Sequence, residues 1–204
     1  MQEIIDKIIE YLEEKDRVRE ELIKTSREII RKCRDIVNKI HRKELEGINE
    51  ALNFLESQIA EMRKKCRCFP EMYHSGIVHE ALMEYYEVKL LYEYIKKGEL
   101  EAMEDLPRDD YIAFLLGLAD VAGELRRELV QALINDDIER AAKYYAYIEE
   151  IYSELSRFSF PDALTPGLRR KVDRIRYVLE TSQNDILYAK KSQEILKALD
   201  RMKK

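Results

Sequence analysis

The chain has 204 residues, 46% hydrophobic and 38% charged, with six Gly, four Pro, three Cys and a formal net charge of −5. That length can bury one core, and that composition belongs to long helices rather than to sheets or disordered tails. An odd count of three Cys excludes a disulfide framework, and no run approaches the ~18 apolar residues of a membrane span.

The opening MQEIIDKIIEYLEEKD lacks the basic-then-apolar pattern of a signal segment. The expectation is a cytoplasmic protein, without membrane contact, forming a single domain over residues 1–204. Helical periodicity runs through nearly all of it. Leu22, Ser26, Ile29, Cys33, Ile36 and Ile40 recur at steps of four and three, which places them on one face of a long first helix. A second helix spans Lys43 to Lys65 through Ile48, Leu52, Leu55, Ile59 and Met62, with Gly47 marking either the joint or a bend. Pro70 breaks the pattern. The third helix covers Gly76 to Lys97 and stops at Gly98, a residue suited to a C-terminal cap.

A loop with Pro107, Asp109 and Asp110 leads into a fourth helix, about 109–133. Asn135-Asp136-Asp137 caps a fifth that runs to about Phe158. FSFPDALTPG is a loop, and Thr165-Pro166 reads as an N-cap followed by proline at the first position of a last helix. No segment alternates as a strand does. The predicted fold is an all-α, single-domain bundle of about six or seven helices.

Two features carry chemistry. Between Lys15 and Lys43 stand eleven Lys/Arg against five Asp/Glu. Lys24, Arg27, Arg31, Arg34, Asn38 and His41 step by three or four along the first helix, a row that can track phosphates by replacing condensed counterions. The plainer alternative is a solvated face paired to Glu20 and Glu28. The second feature is acidic. Asp120 and Glu124 lie four apart in the otherwise apolar IAFLLGLADVAGEL, following the small residues Ala113 and Gly117. Glu80, Glu84 and Glu87 share a face of the third helix. Carboxylates so arranged suit a hard divalent cation; alternatively Asp120 and Glu124 answer Arg126, Arg127 or a lysine from another helix.

Other chemistries fare worse. Cys66-Arg67-Cys68 with His74 and His79 has one residue between its cysteines, short of zinc spacing. A di-iron bundle needs two Glu-x-x-His pairs, and only Glu71-x-x-His74 fits. Nothing resembles a Ser/His/Asp grouping or a Gly-rich phosphate loop.

Four stretches resemble the translin family: SREIIRKCRDIVNKIHR (26–42), MEYYEVKLLYEY (83–94), GLADVAGELRR (117–127) and FSF (158–160). Within that family the resemblance is to the Trax (translin-associated factor X) branch, nearest to archaeal stand-alone Trax-like proteins. The second and third stretches are the specific ones. Ala81, where the family usually has Gly, is a departure. The resemblance implies a Mg²⁺-dependent endoribonuclease, with Mn²⁺ as a possible substitute, built as a hollow homo-octamer. Residue by residue, Glu84 and Glu87 match the Glu-Tyr-x-Glu acids, and Asp120 and Glu124 match the Ala-Asp-x-x-Gly-Glu acids, as catalytic and metal-holding groups. Lys24, Arg27, Arg31, Arg34 and His41 would hold RNA, or single-stranded DNA. Tyr85 and Tyr86 either stack bases or belong to the core. The alternative is a non-catalytic, translin-like nucleic-acid-binding protein. As clustered like charges, the four acids are expected to destabilise the metal-free protein slightly.

Overall fold

A computed structural model describes residues 1–99 and 105–202. Its helices are α1 (Gln2–His41), α2 (Ile48–Lys65), α3 (Gly76–Lys97), α4 (Tyr111–Ile134), α5 (Ile138–Ser156) and α6 (Leu168–Met202). Short 3₁₀ turns at Pro70–Met72 and Arg108–Asp110 precede α3 and α4. No strand occurs among the described residues, so the fold is all-α as the periodicity requires. Two compact units divide the chain, Met1–Phe114 and Leu115–Lys204, with the boundary inside α4.

In the first unit α1 packs on α3 and α2. The row from Leu22 to Ile40 is buried as the spacing predicts, and so is Ile48, Leu52, Leu55, Ile59 and Met62 of α2. Ser26 is the polar member of the first row, and its hydroxyl finds the Met62 sulfur at 3.7 Å. Gly47 resolves the ambiguity of its position: it takes φ 74°, a left-handed conformation that glycine adopts without strain, and begins α2 there. Gly98 ends α3 in the same way at φ 80°. Burial on several sides of α3, from Val78 to Tyr94, makes it the central helix of this unit.

One buried charge organises the same unit. Asp110 is wholly buried at the turn before α4. Its carboxylate accepts from the Tyr73 hydroxyl at 2.7 Å, from the Tyr86 hydroxyl and from the Arg63 guanidinium. Tyr73 and Tyr86 are held well above the ordinary phenol range, first by burial and then by donating to this carboxylate.

In the second unit α5 packs on α6. Asp137 caps α5, accepting from the Arg140 N–H at 2.9 Å. The last helix begins later than Thr165-Pro166 suggests. Gly167 turns left-handed at φ 80°, its N–H donates to Asp162 Oδ1 at 3.0 Å, and α6 starts at Leu168.

Both ends of the helical set leave apolar side chains in water. Ile4, Ile5, Ile8, Ile9 and Leu12 of α1 are exposed, as are Ile195, Leu196 and Leu199 of α6. No helix among the described residues is long and apolar enough to cross a membrane.

Removing Arg63 tests the Asp110 network. Arg63→Ala leaves a buried carboxylate without its cation and should lower stability by about 3–5 kcal/mol in urea denaturation. A loss below about 1 kcal/mol would show that the two tyrosines satisfy Asp110 alone.

Candidate carboxylate site and basic helix face

The basic row lies where its spacing puts it. Lys24, Arg27, Arg31 and Arg34 are exposed on α1, and among the described residues none of the four is held in an ion pair. Glu20, one proposed partner, is taken by Arg19 at 2.7 Å. Asn38 is exposed and His41 half-buried at the end of the same helix. Lys32, on the flank, rests over the Phe54 ring at 4.5 Å.

Glu84 and Glu87 are half-buried on α3, and Glu80, one turn earlier, is exposed. Burial, and then the negative charges of Glu84 and Glu87, push the buried Cys33 thiol well above its usual range. These two acids therefore act on the stretch of α1 that carries the arginines. Tyr85 and Tyr86, between them in sequence, are core residues and not open stacking faces. Each is 4% exposed; Tyr85 donates to Glu56 at 2.7 Å and Tyr86 to Asp110.

Asp120 and Glu124 are half-buried on α4, one turn apart. Buried Leu116, Ala119, Val121 and Ala122 surround Asp120 along the helix. Its charge is answered by a lysine from another helix: Lys171 Nζ of α6 stands 2.5 Å from both carboxylate oxygens. The pair is partly shielded, with Asp120 24% and Lys171 18% exposed. Arg126 goes instead to Asp185, and Arg127 is exposed. Asp120 is therefore no unanswered member of a like-charge cluster, which reverses the expected sign of its effect on metal-free stability.

The remaining candidates are ordinary side chains. Cys66 is buried and Cys68 exposed, and Glu71 pairs with Lys15 at 2.7 Å. Burial lowers the His79 pKa. Among the described residues no three His, Cys, Asp or Glu side chains group to hold a metal. That does not suit zinc, which takes three or four protein ligands. Mg²⁺ is held by one or two carboxylates and fills its shell with water and phosphate oxygens. The two pairs offer oxygen donors of this kind, and Asp120 already accepts a cation, the Lys171 ammonium, on both oxygens.

The motifs missed two things. Lys171 sits in LRRKVDRIR, and its tie to Asp120 spans 51 residues, beyond any local pattern. Asp110 read as a loop acid, although Asp-Tyr at a helix start followed by an apolar run was a hint of burial.

The helical fold and the four stretches that resemble the translin family point to the same group of proteins. The chain belongs to the translin family, matching its model over residues 17–190. A relative in Methanocaldococcus jannaschii, the uncharacterized protein MJ0175, is 32% identical over 181 residues, covering 88% of this chain and 80% of that one. The crystal structure of AfC3PO is similar at 33% identity and TM-score 0.84, covering 94% of this chain and 98% of that one. AfC3PO in complex with duplex RNA is similar at 32% identity and TM-score 0.77, with the same coverage. Apo-NeC3PO, at 23% identity, TM-score 0.79 and coverage of 91% and 96%, shares the fold.

Asp120→Ala removes the ion pair between α4 and α6 and should lower metal-free stability by about 0.5–1 kcal/mol. A denaturation midpoint at or above wild type would mean that the pair contributes nothing and that relief of charge repulsion dominates.

Proposed function

We propose that this protein is a Trax-branch, Mg²⁺-dependent endoribonuclease that works as a homo-oligomer. The observation that carries the reading is the presence of both acidic pairs, Glu84 with Glu87 and Asp120 with Glu124, in the stretches that resemble the family's acidic motifs. Support for RNA as substrate comes from the similar AfC3PO, which forms a complex with duplex RNA, and from exposed Arg27, Arg31 and Arg34 of α1.

Binding comes first. Lys24, Arg27, Arg31 and Arg34 neutralise phosphates along the strand, which gives affinity with little sequence preference. His41 lies on the same face about two turns beyond Arg34. By the resemblance, Glu84 and Glu87 on α3, and Asp120 on α4, are metal-holding acids, directly or through water. The chemistry supplied by Mg²⁺, or Mn²⁺ in its place, is polarisation of a phosphodiester oxygen and a lowered pKa for bound water. Glu124 is either a further ligand or the base that orients the attacking water. Half-burial of Asp120 strengthens each electrostatic contact made there relative to open water.

A second reading has an observation of its own. In a non-catalytic, translin-like protein that binds RNA or single-stranded DNA, the Asp120–Lys171 pair is simply an ion pair joining α4 to α6. Substitution separates the two. Glu84→Gln and Glu87→Gln should each reduce RNA cleavage by about a hundredfold or more while leaving RNA affinity within about twofold. Undiminished cleavage in both variants would remove these acids from the mechanism.

The basic row makes its own prediction. Replacing Arg27, Arg31 and Arg34 together by Gln should weaken RNA binding at every sequence. It should also reduce the slope of log affinity against log salt by about two to three. An unchanged slope would return the row to plain surface.

Assembly is the third point. The exposed apolar rows of α1 and α6 are surface that a subunit contact would cover, and a closed shell of about eight copies is the form implied by resemblance. Light scattering should give a mass several times 24.3 kDa; the monomer mass would contradict it.

A further inference from the structure

We propose that the Lys171 ammonium is the resident counter-ion of Asp120, occupying its carboxylate in the metal-free protein and released when a divalent cation binds there. This rests on the reading of Asp120 as a cation ligand.

The case starts from what the carboxylate lacks. Along α4 its neighbours Leu116, Ala119, Val121 and Ala122 are buried and apolar, so a bare carboxylate there is costly. Lys171 removes that cost completely, standing at 2.5 Å from both oxygens. Those oxygens are also the only ones a divalent cation can use on this side chain. Two cations sharing them would stand within a few ångströms of each other and repel, so each weakens the other's hold on the carboxylate.

The rest of the molecule shows how a permanent pair is made here. Asp110 is wholly buried and held by an arginine and two tyrosine hydroxyls. Asp185 likewise takes an arginine, Arg126. Asp120 has a lysine and no second donor among the described residues. An ammonium on a flexible four-carbon stem is a point charge that swings away easily, whereas a guanidinium fork is fixed by its geometry. With Asp120 24% and Lys171 18% exposed, water reaches the pair, so an arriving hydrated cation has a route to it. Lys171 stands in the first turn of α6, beside exposed Arg169 and Arg170. On release, its ammonium can swing out to water instead of being stranded in the core.

The test is Mn²⁺ affinity of the full-length protein, measured by the electron paramagnetic resonance of free Mn²⁺. Lys171→Met removes the competitor and should tighten Mn²⁺ about tenfold, the factor that roughly 1.4 kcal/mol of lost competition gives. Lys171→Gln keeps a hydrogen-bond donor on Asp120 and should tighten Mn²⁺ by less. Lys171→Arg should bind Mn²⁺ no more tightly than wild type. Melting adds an independent readout: Lys171→Met should melt below wild type without metal and gain more than wild type on adding Mn²⁺. Suppose Asp120→Asn abolishes Mn²⁺ binding while Lys171→Met and Lys171→Gln bind as wild type does or more weakly. The counter-ion role is then overturned, and Asp120 remains a ligand. Failure of wild type to bind Mn²⁺ at all, with Asp120→Asn unchanged, overturns both.

Discussion

A carboxylate set among apolar side chains has to be answered by a cation or by several donors, and this requirement shapes both units of the molecule. In the first unit Asp110 takes Arg63, Tyr73 and Tyr86, which ties α2, the segment before α3, and α3 itself to the start of α4. In the second, Asp120 takes Lys171 and ties α4 to α6. The two solutions differ in their donors. One carboxylate is sealed by a guanidinium and two hydroxyls; the other is held by a lysine at a partly wet edge. A structural charge suits the first arrangement. The second suits a group whose partner has to change.

That contrast links fold to function. Arg27, Arg31 and Arg34 of α1 are exposed and held in no ion pair among the described residues, and Glu84 and Glu87 of α3 act on Cys33 in the same stretch of α1. Phosphate attraction and cation binding would otherwise oppose each other, since acids repel the strand that the arginines draw in. Half-burial of the acids limits that conflict. It keeps their charge within the helix packing while the arginines project into solvent, where counterion release acts.

Much of this was legible in the sequence, because the information was local. The buried rows of α1 and α2 follow from spacing alone, and Gly98 marks the end of α3 at the residue where the structure ends it. The paired acids and the basic row follow from helical geometry. What failed was long-range or conformational. Lys171 lies 51 residues from Asp120, so no spacing rule could choose it over Arg126 or Arg127. Thr165-Pro166 looked like a helix start, but left-handed Gly167 moved it to Leu168. Tyr85 and Tyr86 had two readings in one dimension; the hydroxyl partners Glu56 and Asp110 decide for the core.

The central claim is that the acidic pairs serve a metal-dependent cut in RNA. The most direct measurement incubates the purified protein with end-labelled single-stranded RNA, first with Mg²⁺ and then with Mg²⁺ and excess EDTA. A metal-dependent endoribonuclease gives internal cleavage products with the metal, none with EDTA, and recovers activity when Mg²⁺ is restored. RNA that is bound but stays intact under all three conditions would contradict the claim and leave a binding protein.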